Sequence, residues 1–94
     1  MRDITDKVAW ITGAGTGIGE GGAVALAEAG VKVVLSGRRQ DKLEEVARRC
    51  GPNASIEVLD VSNKEAVFEV SERIVQNHGK IDILVASAGI NMKE

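Results

Sequence analysis

Apolar residues fall along this chain in short blocks of two kinds. Val8-Ala9-Trp10-Ile11 is a near-continuous run, Val31 to Leu35 is a second broken only by Lys32, and Ile81 to Ala86 is a third broken only by Asp82. Runs without polar alternation are the pattern of parallel strands covered on both faces. Between them the period changes to that of a helix. Leu43, Val46, Ala47 and Cys50 stand at i, i+3, i+4 and i+7, an amphipathic stripe.

Taken in order, the pattern predicts a strand over Lys7 to Thr12 and a helix from about Gly17 to Ala29, with Ile18, Gly22, Leu26 and Ala29 on one face and Gly30 as its stop. A second strand follows over Val31 to Ser36 and a second helix from about Gln40 to Arg49. Gly51-Pro52-Asn53 is a breaker. The third strand is Ser55 to Leu59, with Ile56 and Val58 on one face. Ser62 and Glu65 form a capping box for a third helix, whose buried face is Val67, Val70 and Ile74 and whose end is Asn77-His78-Gly79. Lys80 to Gly89 holds a fourth strand and its exit turn. Strands alternating with helices predict right-handed βαβ units and a parallel α/β sheet. Gly21 and Gly22 inside the first helix each cost roughly 0.5–1 kcal/mol relative to alanine; they either admit close packing on the sheet or weaken the helix.

Composition narrows the function classes. Ninety-four residues make one small domain at most, with a thin margin of stability. Apolar content of 44%, charged content of 28% and a net charge of -2 give no electrostatic footprint for nucleic acid or a membrane surface. No apolar run reaches the 18 or so residues of a membrane span, and Met1 to Lys7 lacks the apolar core of a signal peptide, so the expected location is cytoplasmic. A single cysteine agrees with a reducing compartment. Cys50 reads as a buried hydrophobe of the second helix. His78 has no metal partner nearby in sequence and reads as a solvated helix end; no metal site is expected.

The candidate chemistry lies between the first strand and first helix. Gly13, Gly15, Gly17 and Gly19 alternate there, so that backbone can approach a phosphate without Cβ in the way, while a helix start presents free N–H groups and a positive dipole end. The spacing G-x-G-x-x-G is not met from Gly13, whose third place holds Ile18, nor from Gly15, whose third place holds Glu20. Its one formal match, Gly17 to Gly22, lies mostly inside the helix. The spacing that fits is T-G-x-x-x-G-x-G, carried by Thr12, Gly13, Gly17, Ile18 and Gly19. In this the chain resembles the short-chain dehydrogenase/reductase family.

The resemblance extends over nearly the whole chain. Leu35-Ser36-Gly37-Arg38-Arg39 follows the second strand, Asp60-Val61 follows the third, and Leu84-Val85-Ala86-Ser87-Ala88-Gly89 stands where the family carries N-N-A-G, with Ser87 in place of the second asparagine. It implies a Rossmann-type doubly wound sheet, here its first four strands in the order 3-2-1-4, with a dinucleotide crossing the switch point between strands one and four. Carried over by position, Gly13, Gly15, Thr16, Gly17, Ile18 and Gly19 lie under the pyrophosphate. Asp60 bonds the adenine edge, Val61 donates its backbone N–H there, and Ala88 and Gly89 line the adenosine side. The other role open to Asp60, capping the third helix, is one that Ser62 fills.

The end of the second strand bears on cofactor choice. A carboxylate there accepts from the ribose hydroxyls of NAD and repels the extra phosphate of NADP. Gly37 occupies that place here, followed by Arg38 and Arg39, which can clamp a phosphate. The expectation is NADP, with Arg38 the favoured contact and NAD the alternative.

The family's activity is hydride transfer between the nicotinamide and an alcohol or ketone, using a serine, a tyrosine and a lysine beyond its fifth strand. This sequence contains no tyrosine, so no catalytic residue is assigned. The expectation is the N-terminal segment of an oxidoreductase acting on a small-molecule substrate, inactive by itself; the alternatives are a non-catalytic nucleotide-binding half-domain and an inactive fragment. A fourth strand left at a sheet edge predicts self-association through that edge.

Overall fold

Two central strands set the frame of the molecule, the first buried along its whole length and the second through its middle. A computed structural model describes residues 5–15 and 17–86. Its elements are β1 (Val8–Thr12), α1 (Gly17–Glu28), β2 (Lys32–Gly37), α2 (Gln40–Cys50), β3 (Ala54–Val58), α3 (Lys64–His78) and β4 (Ile83–Ala86), with a 3₁₀ turn over Gly51–Asn53. All pairings are parallel and the strand order is β3-β2-β1-β4, as expected. Each predicted element is present, with its ends in place or moved by up to three residues. The exit turn expected after β4 lies outside the described residues.

The sheet has a core on each face. Because side chains alternate along a strand, Ala9, Ile11, Val33 and Leu35 point to one side, where they pack with Ala23 and Ala27 of α1 and Leu43 and Val46 of α2. Val8, Trp10 and Val34 point to the other, with Leu59, Val70 and Ile74. Every residue of β1 is buried and four in a row are buried in β2. The outer strands β3 and β4 have no such runs, and Leu84 of β4 is 62% exposed. Two of the few polar side chains inside, Trp10 and Ser36, bond each other: Trp10 Nε1 donates to Ser36 Oγ at 2.9 Å, which removes the cost of burying either group alone.

The buried face of α1 differs from the one the hydrophobic pattern predicts. Gly19, Ala23 and Ala27, spaced by four, are its buried residues, whereas Ile18 is 81% exposed, Ala29 lies past the helix end, and of the expected face only Leu26 packs on the core. Small side chains let the helix axis approach the sheet closely, so the stripe that is buried is the one that carries little hydrophobic signal. Gly21 and Gly22 lie off that stripe: a Cβ at either meets nothing within 4 Å. Close packing is therefore not their role. The helix ends in a Schellman arrangement, Val31 N–H donating to Leu26 O and Gly30 N–H to Ala27 O, both at 3.0 Å, with Gly30 at φ 95°.

The start of α3 also differs. Asn63, not Ser62, is the N-cap, its side chain accepting from Ala66 N–H at 3.1 Å. The Ser62–Glu65 capping box does not form, because Ser62 is engaged with Asp60 two residues earlier. Gly79 closes the helix in the left-handed conformation expected of a terminal glycine.

Asp82 ties the sheet together at its lower end. Its Oδ2 accepts from Val8 N–H at 2.9 Å and lies 3.4 Å from Lys80 Nζ, and Asp82 N–H donates to Val8 O at 2.8 Å. The bond from Val8 N–H, followed by the nearby Lys80, holds the carboxyl below its ordinary value of 3.8. A lowered folded-state value means that this contribution is complete above 3.8 and is lost as the pH falls through the folded value.

Two outcomes are expected. Gly21→Ala and Gly22→Ala should each raise the unfolding free energy by roughly 0.5–1 kcal/mol, read from urea denaturation followed by Trp10 fluorescence; a loss of stability would mean that the open space beside these glycines is occupied. Asp82→Asn should flatten the decline of stability below pH 3.8, measured as denaturation midpoints against pH, and leave the slope at neutral pH unaltered.

Candidate functional site

The parallel register brings the carboxyl ends of β1, β2 and β3 to one end of the sheet, where α/β folds hold their ligands. Thr12 is paired with Ser36 of β2 and Ala86 of β4, and Thr12 Oγ1 lies 3.5 Å from Val85 O. Beyond Thr12 the chain turns at Gly13, whose φ of 72° favours a residue without Cβ. Ala14 N–H then donates to Ser36 O at 3.1 Å, which pins the turn to the end of β2. On the other side Leu59 N–H donates to Gly37 O at 2.8 Å, so the segment after β3 is held against the end of β2.

These three segments and α2 enclose a cleft of about 580 Å³. Gly13 and Gly15 come from the first turn, Gly37, Arg38 and Arg39 from the end of β2, and Asp60 and Val61 from the segment after β3. The structure thus gathers six of the expected site residues, Gly13, Gly15, Arg38, Arg39, Asp60 and Val61, around one space. Gly17, Ile18 and Gly19 open α1 but do not line the cleft. Thr16, Ala88 and Gly89 lie outside the described residues.

Asp60 is shaped by its own loop. Ser62 N–H and Ser62 Oγ donate to Asp60 Oδ1 at 2.9 and 2.7 Å, a local turn of the kind in which an aspartate bonds the backbone two residues on. The Ser62 hydroxyl and N–H, with a smaller contribution from the positive charge of Arg38, hold the Asp60 carboxyl below its ordinary value. It is neither the cap of α3 nor protonated at neutral pH, and it presents a fixed negative charge at the cleft. Arg39 faces a counter-charge of its own, Asp41 Oδ2 at 3.3 Å.

Lining residues not anticipated from sequence are Lys42 and Leu43 of α2, Leu59, and Ser62. Leu43 and Leu59 are buried apolar residues that complete the apolar part of the surface. Lys42 is one position before the first buried residue of α2, and that adjacency was the available signal: the residue beside a core anchor in the first helical turn sits close to the sheet end. Among the described residues, no three His, Cys, Asp or Glu side chains gather as a metal site, and no helix is long and apolar enough to cross a membrane. Burial raises the Cys50 thiol above its ordinary value, which keeps it protonated and apolar in character.

A doubly wound parallel sheet with a glycine-lined cleft at its carboxyl end defines a nucleotide-binding class of α/β fold. The short chain dehydrogenase family model matches residues 7–94, and the chain belongs to that family. An uncharacterized oxidoreductase of Staphylococcus saprophyticus is 49% identical over 94 residues, which cover 96% of this chain and 40% of that protein. A metagenomic short-chain oxidoreductase solved in complex with NADP matches with a TM-score of 0.89 at 34% identity, over 95% of this chain and 42% of that one. A short chain dehydrogenase from Bacillus anthracis matches with a TM-score of 0.88 at 33% identity, over 94% and 37%. The chain therefore spans about 40% of the length of the relatives it matches.

Replacing Ser62 by alanine removes the hydroxyl donor to Asp60. The Asp60 carboxyl should then titrate at higher pH than in the parent chain, with the backbone N–H donor retaining part of the depression, as followed by carbon NMR of the side chain. An unaltered titration would show that Ser62 does not set the charge at this edge of the cleft.

Proposed function

We propose that this chain forms the adenosine-side part of the dinucleotide site of an oxidoreductase that moves hydride between NADP(H) and an alcohol or ketone. The observation that carries the reading is the chemistry of the end of β2. Gly37 stands in the cleft where a carboxylate would select NAD, and Arg38 and Arg39 line the same space. The NADP bound in the metagenomic relative supports it. The residues fit such a cofactor: Gly13 and Gly15 bring main chain without Cβ to the cleft, Leu43 and Leu59 form its apolar floor, and the arginines answer a phosphate. Gly17, Ile18 and Gly19, with Thr16, supply the N-terminal turn of α1 to the pyrophosphate, and Ala88 and Gly89 border the adenosine. Asp60 and Val61 then face the adenine edge. The bound cofactor supplies the hydride; this chain's residues bind and orient it. With no tyrosine in the sequence, the chain by itself binds without turnover.

Calorimetric titration tests this. NADP⁺ should bind about tenfold or more tightly than NAD⁺, the worth of one or two charge-assisted hydrogen bonds, and Arg38→Gln should reduce that preference. Equal or tighter binding of NAD⁺ would overturn the cofactor assignment, and absence of binding to either would overturn the site.

A further inference from the structure

Lys42 occupies the first turn of α2 and does not belong to the glycine turn, yet the two are in contact. A Cβ placed on Gly15 would lie 3.1 Å from Lys42 Cβ and 3.8 Å from its Cγ. The lysine stem is thus laid over the turn, and Gly15 is the residue that leaves room for it. From there Lys42 lines the cleft together with Arg38 and Arg39. The three cations are not equivalent. Arg39 has Asp41 Oδ2 at 3.3 Å, whereas Arg38 and Lys42 make no ion pair within 4 Å among the described residues. Arg39 is also the N-cap of α2, and the Asp41 carboxylate that opposes it accepts from the backbone N–H groups of Asp41 and Lys42 as well, so the negative charge of this helix end is already engaged.

We propose that Lys42 is a specificity-determining residue of this cleft. Its ammonium and the Arg38 guanidinium, carried by α2 and by the end of β2, hold the phosphate on the adenosine ribose between them, while Arg39 is balanced by Asp41. The inference rests on the reading of the cleft as an NADP site and adds to it the cation that discriminates. Gly15 takes part indirectly: any side chain there displaces the Lys42 stem.

The test uses the full chain and two probes, adenosine 2′,5′-bisphosphate and adenosine 5′-monophosphate, which differ only in the second phosphate. Lys42→Gln should weaken the bisphosphate about tenfold or more and leave the monophosphate within about twofold. Lys42→Arg should retain the discrimination, and Arg48→Gln, an equal loss of charge in the last turn of α2, should leave both affinities in place. An unchanged bisphosphate affinity in Lys42→Gln, or an equal loss for both probes, overturns the role of Lys42 while the site stands. A parent chain that binds neither probe, or both equally, overturns the NADP reading itself and this inference with it.

Discussion

Burial of β1 on both faces is the constraint from which the rest of the structure follows. A strand with no exposed residue must have a helix layer on each side of the sheet and hydrogen-bonded neighbours on each edge, since unpaired buried backbone is costly. The α1 and α2 layer, the α3 layer, and the flanking strands β2 and β4 satisfy those requirements. Register then does the positioning. With Thr12 opposite Ser36 and Ala86, the chain leaves β1, β2 and β3 at one end of the sheet, and the loops that leave there have to meet. The cleft is a by-product of parallel pairing before any residue in it is specialised.

Its electrostatics are then set by a few side chains held in different ways. Asp60 is fixed by two donors from Ser62, and Arg39 is opposed by Asp41 across an exposed pair, an interaction of small energetic worth in solvent. A cleft with cations on two of its elements and a pinned carboxylate on a third has a defined polarity. A ligand with a phosphate at one end and a hydrogen-bonding base edge at the other is complementary to it.

Much of this was legible in the amino-acid sequence, and the exceptions have physical causes. The central strands stand out because double-sided burial removes polar alternation, and α2 and α3 because their large apolar residues recur at helical spacing. The strand order and the family followed from the glycine turn, Asp60-Val61 and the segment around Arg38. The face of α1 was misread because Gly19, Ala23 and Ala27 contribute shape rather than hydrophobicity. The cap of α3 was misplaced by one residue because Ser62 and Asn63 are both competent caps, and only the preceding Asp60 decides between them by engaging Ser62. Lys42 lies off the apolar stripe of its helix, so its place beside Leu43 in the first turn is the one local sign of what the approach of α2 to Gly15 does, which is to bring it to the cleft.

The bond from Val8 N–H to Asp82 joins residues 74 positions apart in the chain, and it bears on how the molecule assembles. Contacts between β1 and β2 close a short loop, whereas those between β1 and β4 join residues 74 positions apart, and chain closure over such a span is slow to reward its entropic cost. During synthesis β1 is made well before its second partner, which follows 74 positions later. Until β4 arrives, one edge of the most buried of the described strands stands open to any other extended chain, so the nascent polypeptide is vulnerable to mispairing at the strand on which this sheet depends.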